Sequence, residues 1–179
     1  MVDLRDETEM QPASYPDAPA GLSAAASAID PEVIWSRIED YVRVRWATRE
    51  VAWILEGEGD WKPPLEPVTA MSVEVWDADA WTSTEPPESA LGGFCFSGSG
   101  TYRVSATVGD GNVPAKANEA YRRLAEYMAE PMGTAGASSL THSIGGELSR
   151  TVQRNPAWMA RAMQNSGAAD LLRPYRRLK

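Results

Sequence analysis

The sequence predicts an α+β fold: a small helical core with an inserted antiparallel β-hairpin and sheet, and an extended C-terminal helical arm. Three observations predict it. Two amphipathic stretches, 31–45 and 114–128, follow helical spacing behind a proline at the first helical position. Between them, short apolar or alternating runs are punctuated by Gly, Pro and Asp, as strands and turns are. The last twenty-two residues, 158–179, combine an apolar stripe, a Ser-Gly break, a Leu-Leu pair and an Arg-Pro-Tyr-Arg-Arg ending.

Each element follows in order. Residues 1–29 are rich in Ala, Pro, Ser and Asp without sustained periodicity, so an extended or disordered tail is expected. Asp30-Pro31-Glu32 places a capping residue before proline, and Ile34, Trp35, Ile38, Tyr41 and Val42 share one face. A helix is expected to about Arg45. The run 51–55 (VAWIL), bounded by Gly57, Gly59 and Pro63-Pro64, reads as a strand. Residues 71–76 alternate, Asp77-Ala78-Asp79 turns the chain, and Trp81 begins the return of a hairpin. Residues 94–96 (FCF) and 101–108 (TYRVSATV) read as two strands joined at 97–100. In the helix from Pro114, Ala117, Ala120, Tyr121, Leu124, Ala125 and Met128 form the apolar face. The expected organisation is thus the 1–29 tail, a core domain over 30–130, a linker over 131–146 and an arm over 147–179. In the arm, Asn155-Pro156 repeats the helix-start signal before Trp158, Met159, Ala162 and Met163.

The arm has little support of its own. Ordering a residue costs roughly 1–2 kcal/mol of backbone entropy. Burying Trp158, Leu171, Leu172 or Tyr175 returns only about 1.5–3 kcal/mol each. The segment needs either its own fold or a partner to hold it, and it reads as a docking arm. Charge agrees with that reading. Residues 1–88 carry nineteen acids against six bases, whereas from Glu147 onward two acids face seven bases. An acidic body with a basic end suits a partner-seeking protein. The net charge of −8 argues against strong non-specific nucleic-acid binding by the whole chain.

Catalytic chemistry is not expected. His142 is the only histidine and falls in the linker, so no histidine metal pair is possible. Cys95 is the only cysteine, which excludes an internal disulfide or a cysteine-based metal cluster, and it reads as a small buried residue. Asp77 and Asp79 suit a solvated hairpin tip better than a carboxylate pair. The glycines at 98 and 100 lack the Lys-Ser/Thr of a phosphate loop. No enzyme, metal or cofactor is expected, and no apolar run approaches a membrane span. Of seven tryptophans, Trp61, Trp76 and Trp81 lie beside turns or on the hairpin, where they are candidates for contacts between subunits.

Several runs carry a resemblance. Residues 35–41 (WSRIEDY), 45–57 (RWATREVAWILEG), 61–65 (WKPPL) and 73–76 (VEVW) resemble the front half of a head-to-tail connector. Residues 102–109 (YRVSATVG), 119–127 (EAYRRLAEY) and 167–177 (GAADLLRPYRR) extend the likeness, of which the last is the most specific. The resemblance covers residues 30–179 and is to the adaptor of gene-transfer-agent particles and long-tailed phages. It implies a virion protein of the neck, made in the host cytoplasm and assembled as a homo-oligomeric ring of about twelve copies beneath the portal. Such a ring extends the DNA channel without sequence-specific contact and meets the stopper or tail-completion protein. The arm would insert into the portal, with Trp158, Met159, Met163, Leu171, Leu172, Pro174 and Tyr175 as apolar anchors. Arg173, Arg176 and Arg177 would pair with portal carboxylates. Two rivals remain open: a stopper or tail-completion protein, and a DNA-binding packaging component using Arg150, Arg154, Arg161, Arg173, Arg176 and Arg177.

Overall fold

The runs between the two long helices do form strands. They appear in a computed structural model that describes residues 1–90, 92–130, 139–144, 148–153 and 159–177. The fold is α+β. Its main sheet takes β1 (Asp3–Glu9), β2 (Arg49–Glu56), β4 (Val68–Asp77), β5 (Ala80–Thr84) and β7 (Thr101–Val108), in the order β1-β2-β7-β4-β5, all antiparallel. A separate two-stranded ladder joins β3 (Gly59–Trp61) to β6 (Phe94–Phe96). The chain divides into two compact units. The first comprises Met1–Pro16, Glu39–Val113 and Tyr175–Lys179, and the second Asp17–Ile38 and Pro114–Pro174. This differs from the linear tail, core, linker and arm, because both chain ends return to the first unit.

The first unit is built on period-2 alternation. On β7, Tyr102, Val104, Ala106 and Val108 are buried while the residues between them are half-buried. On β2, Val51, Trp53 and Leu55 do the same. Register brings Val51 opposite Ala106, and Trp53 and Val73 on either side of Val104, so one face of the sheet is a continuous apolar layer. Trp61, Leu65 and Phe96 complete that layer. The FCF strand pairs with β3 and not with β7, since β7 is enclosed by β2 and β4. Of the tail expected to be extended or disordered, residues 3–9 are extended and form the edge strand β1.

The second unit contains α1 (Ala24–Ser27), the first two turns of α2 (Pro31–Val42), α3 (Ala115–Ala129), α4 (Ala162–Asn165) and α5 (Ala168–Leu172). Its apolar side chains include Ile34, Trp35, Ile38, Tyr121 and Leu124, all essentially inaccessible, with the Trp35 and Tyr121 rings 4.8 Å apart. Burial raises the Tyr121 hydroxyl above its ordinary value, with Asp30 adding to the effect. Ser23 caps α1 and also ties it to α3, donating to Glu126 from its backbone nitrogen (2.6 Å) and its Oγ (2.8 Å). Helix α2 stops at Val42 and not near Arg45, because Arg43 takes a left-handed conformation, φ 60°. The expected linker holds a strand: β8 (Ser139–Ile144) pairs antiparallel with β9 (Leu148–Gln153), which puts His142 on a ladder. The Asn155-Pro156 helix start and Trp158 lie outside the described residues.

Candidate assembly site

The β4–β5 hairpin carries an exposed tryptophan, Trp76. Its loop has only two residues, Ala78 and Asp79, and both have positive φ, 46° and 64°. That is the geometry of a primed turn, whose twist matches that of the strands it joins. Register then sets Trp76 opposite Trp81. Their rings meet edge to face with centroids 5.1 Å apart at 66°. The Arg103 guanidinium lies over the Trp81 ring at 4.6 Å and is itself held by Glu74 at 2.6 and 2.7 Å. Trp76 remains 45% exposed and Trp81 is half-buried. Trp76 is therefore open to solvent, while Trp81 is covered on one side by Arg103 and on the other by Trp76. Trp61, expected beside them at an interface, is instead in the core, with Trp53 at 5.4 Å and Phe96 at 6.4 Å. Its ladder with β6 turns it inward.

Along the same sheet runs a groove of about 500 Å³, with Thr8, Ala52, Ser72 and Ser105 in one row across four strands. Met10 and Met71 also line it, and both are exposed. Small side chains at adjacent register positions leave the hollow.

A third feature was invisible in the sequence. Glu39, Arg45 and Arg49 are all buried. The Glu39 carboxylate accepts from the Trp46 and Ala47 backbone nitrogens at 2.7 and 3.0 Å and from the Arg49 guanidinium. Glu9 of β1 accepts from Arg45 at 2.6 and 2.8 Å and from Arg49 at 2.8 Å. Glu7 pairs with Arg43 at 3.2 Å and accepts from the Trp53 indole at 3.2 Å. Burial alone would raise the Glu9 carboxyl, but the Arg45 and Arg49 charges outweigh it and hold the group below its ordinary value. Arg45 is lowered by its own burial and raised more strongly by Glu9, Glu39 and Asp40. These charges are paired and hydrogen-bonded, as buried charges must be. They fasten β1 to its sheet.

Of the expected docking arm, residues 159–177 rest on their own chain. In the second unit, Met163 and Leu172 are buried and Leu171 is half-buried, as α5 packs on α3. Tyr175 is half-buried and its ring meets Trp46 edge-on at 6.5 Å. Arg176 lies over the Tyr41 ring at 5.3 Å. The Arg177 backbone nitrogen donates to the Val42 carbonyl at 3.0 Å, and its side chain pairs with Glu66 at 2.5 Å. Met159 is half-buried, and its carbonyl accepts from Arg37 at 3.0 Å. Among the described anchors, Arg173 and Pro174 are also exposed. The chain itself thus offers apolar neighbours on α3 and a carboxylate at Glu66.

Among the described residues, no group of three or more His, Cys, Asp or Glu side chains is arranged to hold a metal ion. Asp77 and Asp79 lie at the exposed hairpin tip. Cys95 is half-buried on β6 and not fully enclosed. No helix among the described residues is long and apolar enough to cross a membrane. No protein-family model, curated protein or solved structure matches this chain.

Proposed function

We propose that the chain is a structural head-to-tail adaptor of a tailed phage or phage-like particle. Copies form a ring beneath the portal, extend the DNA channel and connect it to the stopper and tail. The observation that carries this reading is the Trp76–Trp81 pair, two rings in edge-to-face contact of which Trp76 is left open to solvent. Rigid aromatics of this kind lose little freedom on docking and dominate interface energetics. They serve here as contacts between neighbouring copies. The first unit supports the channel role: it carries seventeen acids against nine bases, a balance of −8, while the second is balanced at eight each. An acidic wall does not hold passing phosphate. The likeness of residues 30–179 to known adaptors supplies the particle context.

The reading departs from its sequence-based form at the portal. In the isolated chain residues 159–177 already have partners, so we propose that portal binding starts from this seated segment. It draws on a fixed surface that includes Arg173 and Pro174. The net charge of −8 disfavours the DNA-binding alternative. Gold-labelled antibody raised against the full chain tests the assignment on purified filled particles. Label confined to the neck is expected; label on the capsid wall or tail tip, or none, overturns it.

A further inference from the structure

We propose that the free edge of β5 is a strand-addition site for a basic, extended segment of a partner protein, an inference that stands independently of the connector reading. β5 ends the sheet order among the described residues. A two-residue loop makes the flanking pair, Asp77 and Ala80, hydrogen-bonded, and bonded pairs alternate with non-bonded ones along the ladder. Ala80, Thr82 and Thr84 therefore bond to β4. Trp81 and Ser83 turn their N–H and C=O groups away from it, toward the edge.

The two edges of this sheet are managed differently. β1 carries Asp3, Arg5, Asp6, Glu7 and Glu9 in seven residues, and charged side chains of this kind blunt an edge against pairing. β5 reads Ala-Trp-Thr-Ser-Thr, without a charge or a proline, and Ala80, Thr82 and Ser83 are exposed. Threonine and tryptophan favour the extended chain. An unprotected edge of this composition is a template for β-augmentation, in which main-chain bonds give affinity and flanking side chains give selectivity.

Charge selects the occupant. Between Lys62 and Arg103 the chain carries six acids and no base. Asp77 and Asp79 lie at one end of β5, and Glu85 and Glu88 follow the other. A second copy is disfavoured, since two-fold pairing centred on Thr82 sets Asp79 against Glu85 at both ends. A strand with Lys or Arg at its ends meets carboxylates instead.

The test uses the full chain and a synthetic peptide, acetyl-KTVTVTVTK-amide. Controls are the same peptide with alternate amides N-methylated, and one with Glu in place of Lys. Saturable binding of the basic peptide is expected, with amide exchange at Trp81 and Ser83 slowed about tenfold or more and Thr82 unchanged. Ser83→Pro removes an outward N–H without touching the β4 ladder and should weaken binding about tenfold or more. The inference is overturned if either control binds as tightly as the basic peptide, if nothing binds at millimolar concentration, or if the chain instead dimerises through β5.

Discussion

Glu39 concentrates several structural demands in one side chain. It is fully buried, accepts two backbone N–H groups and neutralises Arg49. Removing one partner of a buried pair leaves an uncompensated charge, which costs about 3–5 kcal/mol. Arg49 keeps Glu9 as a partner, so Glu39→Ala should lower the unfolding free energy by about 3 kcal/mol, the low end of that range, read as a lower denaturant midpoint at unchanged slope. Glu9 gives the pH dependence. Its carboxyl is held below its ordinary value in the folded state, by Arg45 and Arg49 acting against the cost of burial. A depressed carboxyl contributes stability that is present above its unfolded value and is lost as pH falls through the folded one. The wild type should thus lose more stability than Glu9→Gln between pH 7 and about pH 3, as read by urea titration at both. Equal losses would remove Glu9 from the account. Neither role was legible in the sequence. Glu9 and Glu39 are thirty residues apart, and only the fold makes them share Arg49.

At the scale of elements, legibility followed the apolar pattern. Helix α3 was readable because Ala117, Ala120, Tyr121 and Leu124 repeat at helical spacing and are all buried. The β4–β5 hairpin was readable from alternation around Asp77-Ala78-Asp79. β1 was not, because five of its seven residues are charged and its strand is held by ion pairs instead of an apolar face. Deleting residues 1–10 should consequently expose β2 as a new edge and take the Glu9 carboxylate from Arg45 and Arg49. The truncated chain is expected to aggregate on purification, whereas a dispensable tail would leave its melting unchanged. The hairpin loop offers the opposite change. Ala78 sits at φ 46°, a region that costs an L-residue roughly 1–2 kcal/mol. Replacing Ala78-Asp79 by Asn-Gly should stabilise the chain by about 1 kcal/mol, measured as a raised denaturation midpoint.

For the whole molecule, the C-terminal segment decides how assembly is read. Its leucines, tyrosine and arginines were legible as groups in need of partners, but the sequence did not say whose. Leu172 finds the second unit's own core, and Arg177 finds Glu66. What remains open is the aromatic hairpin on an acidic unit, so oligomer formation should depend on the tryptophans. The most direct measurement is the sedimented mass of the full chain with purified portal rings, for the wild type and for the Trp76→Ser, Trp81→Ser double variant. The wild type should travel with the portal as a multimeric ring, while the variant keeps its melting temperature and stays behind as monomer. A double variant that assembles as fully as the wild type, or a wild type that never leaves the monomer, would contradict the account.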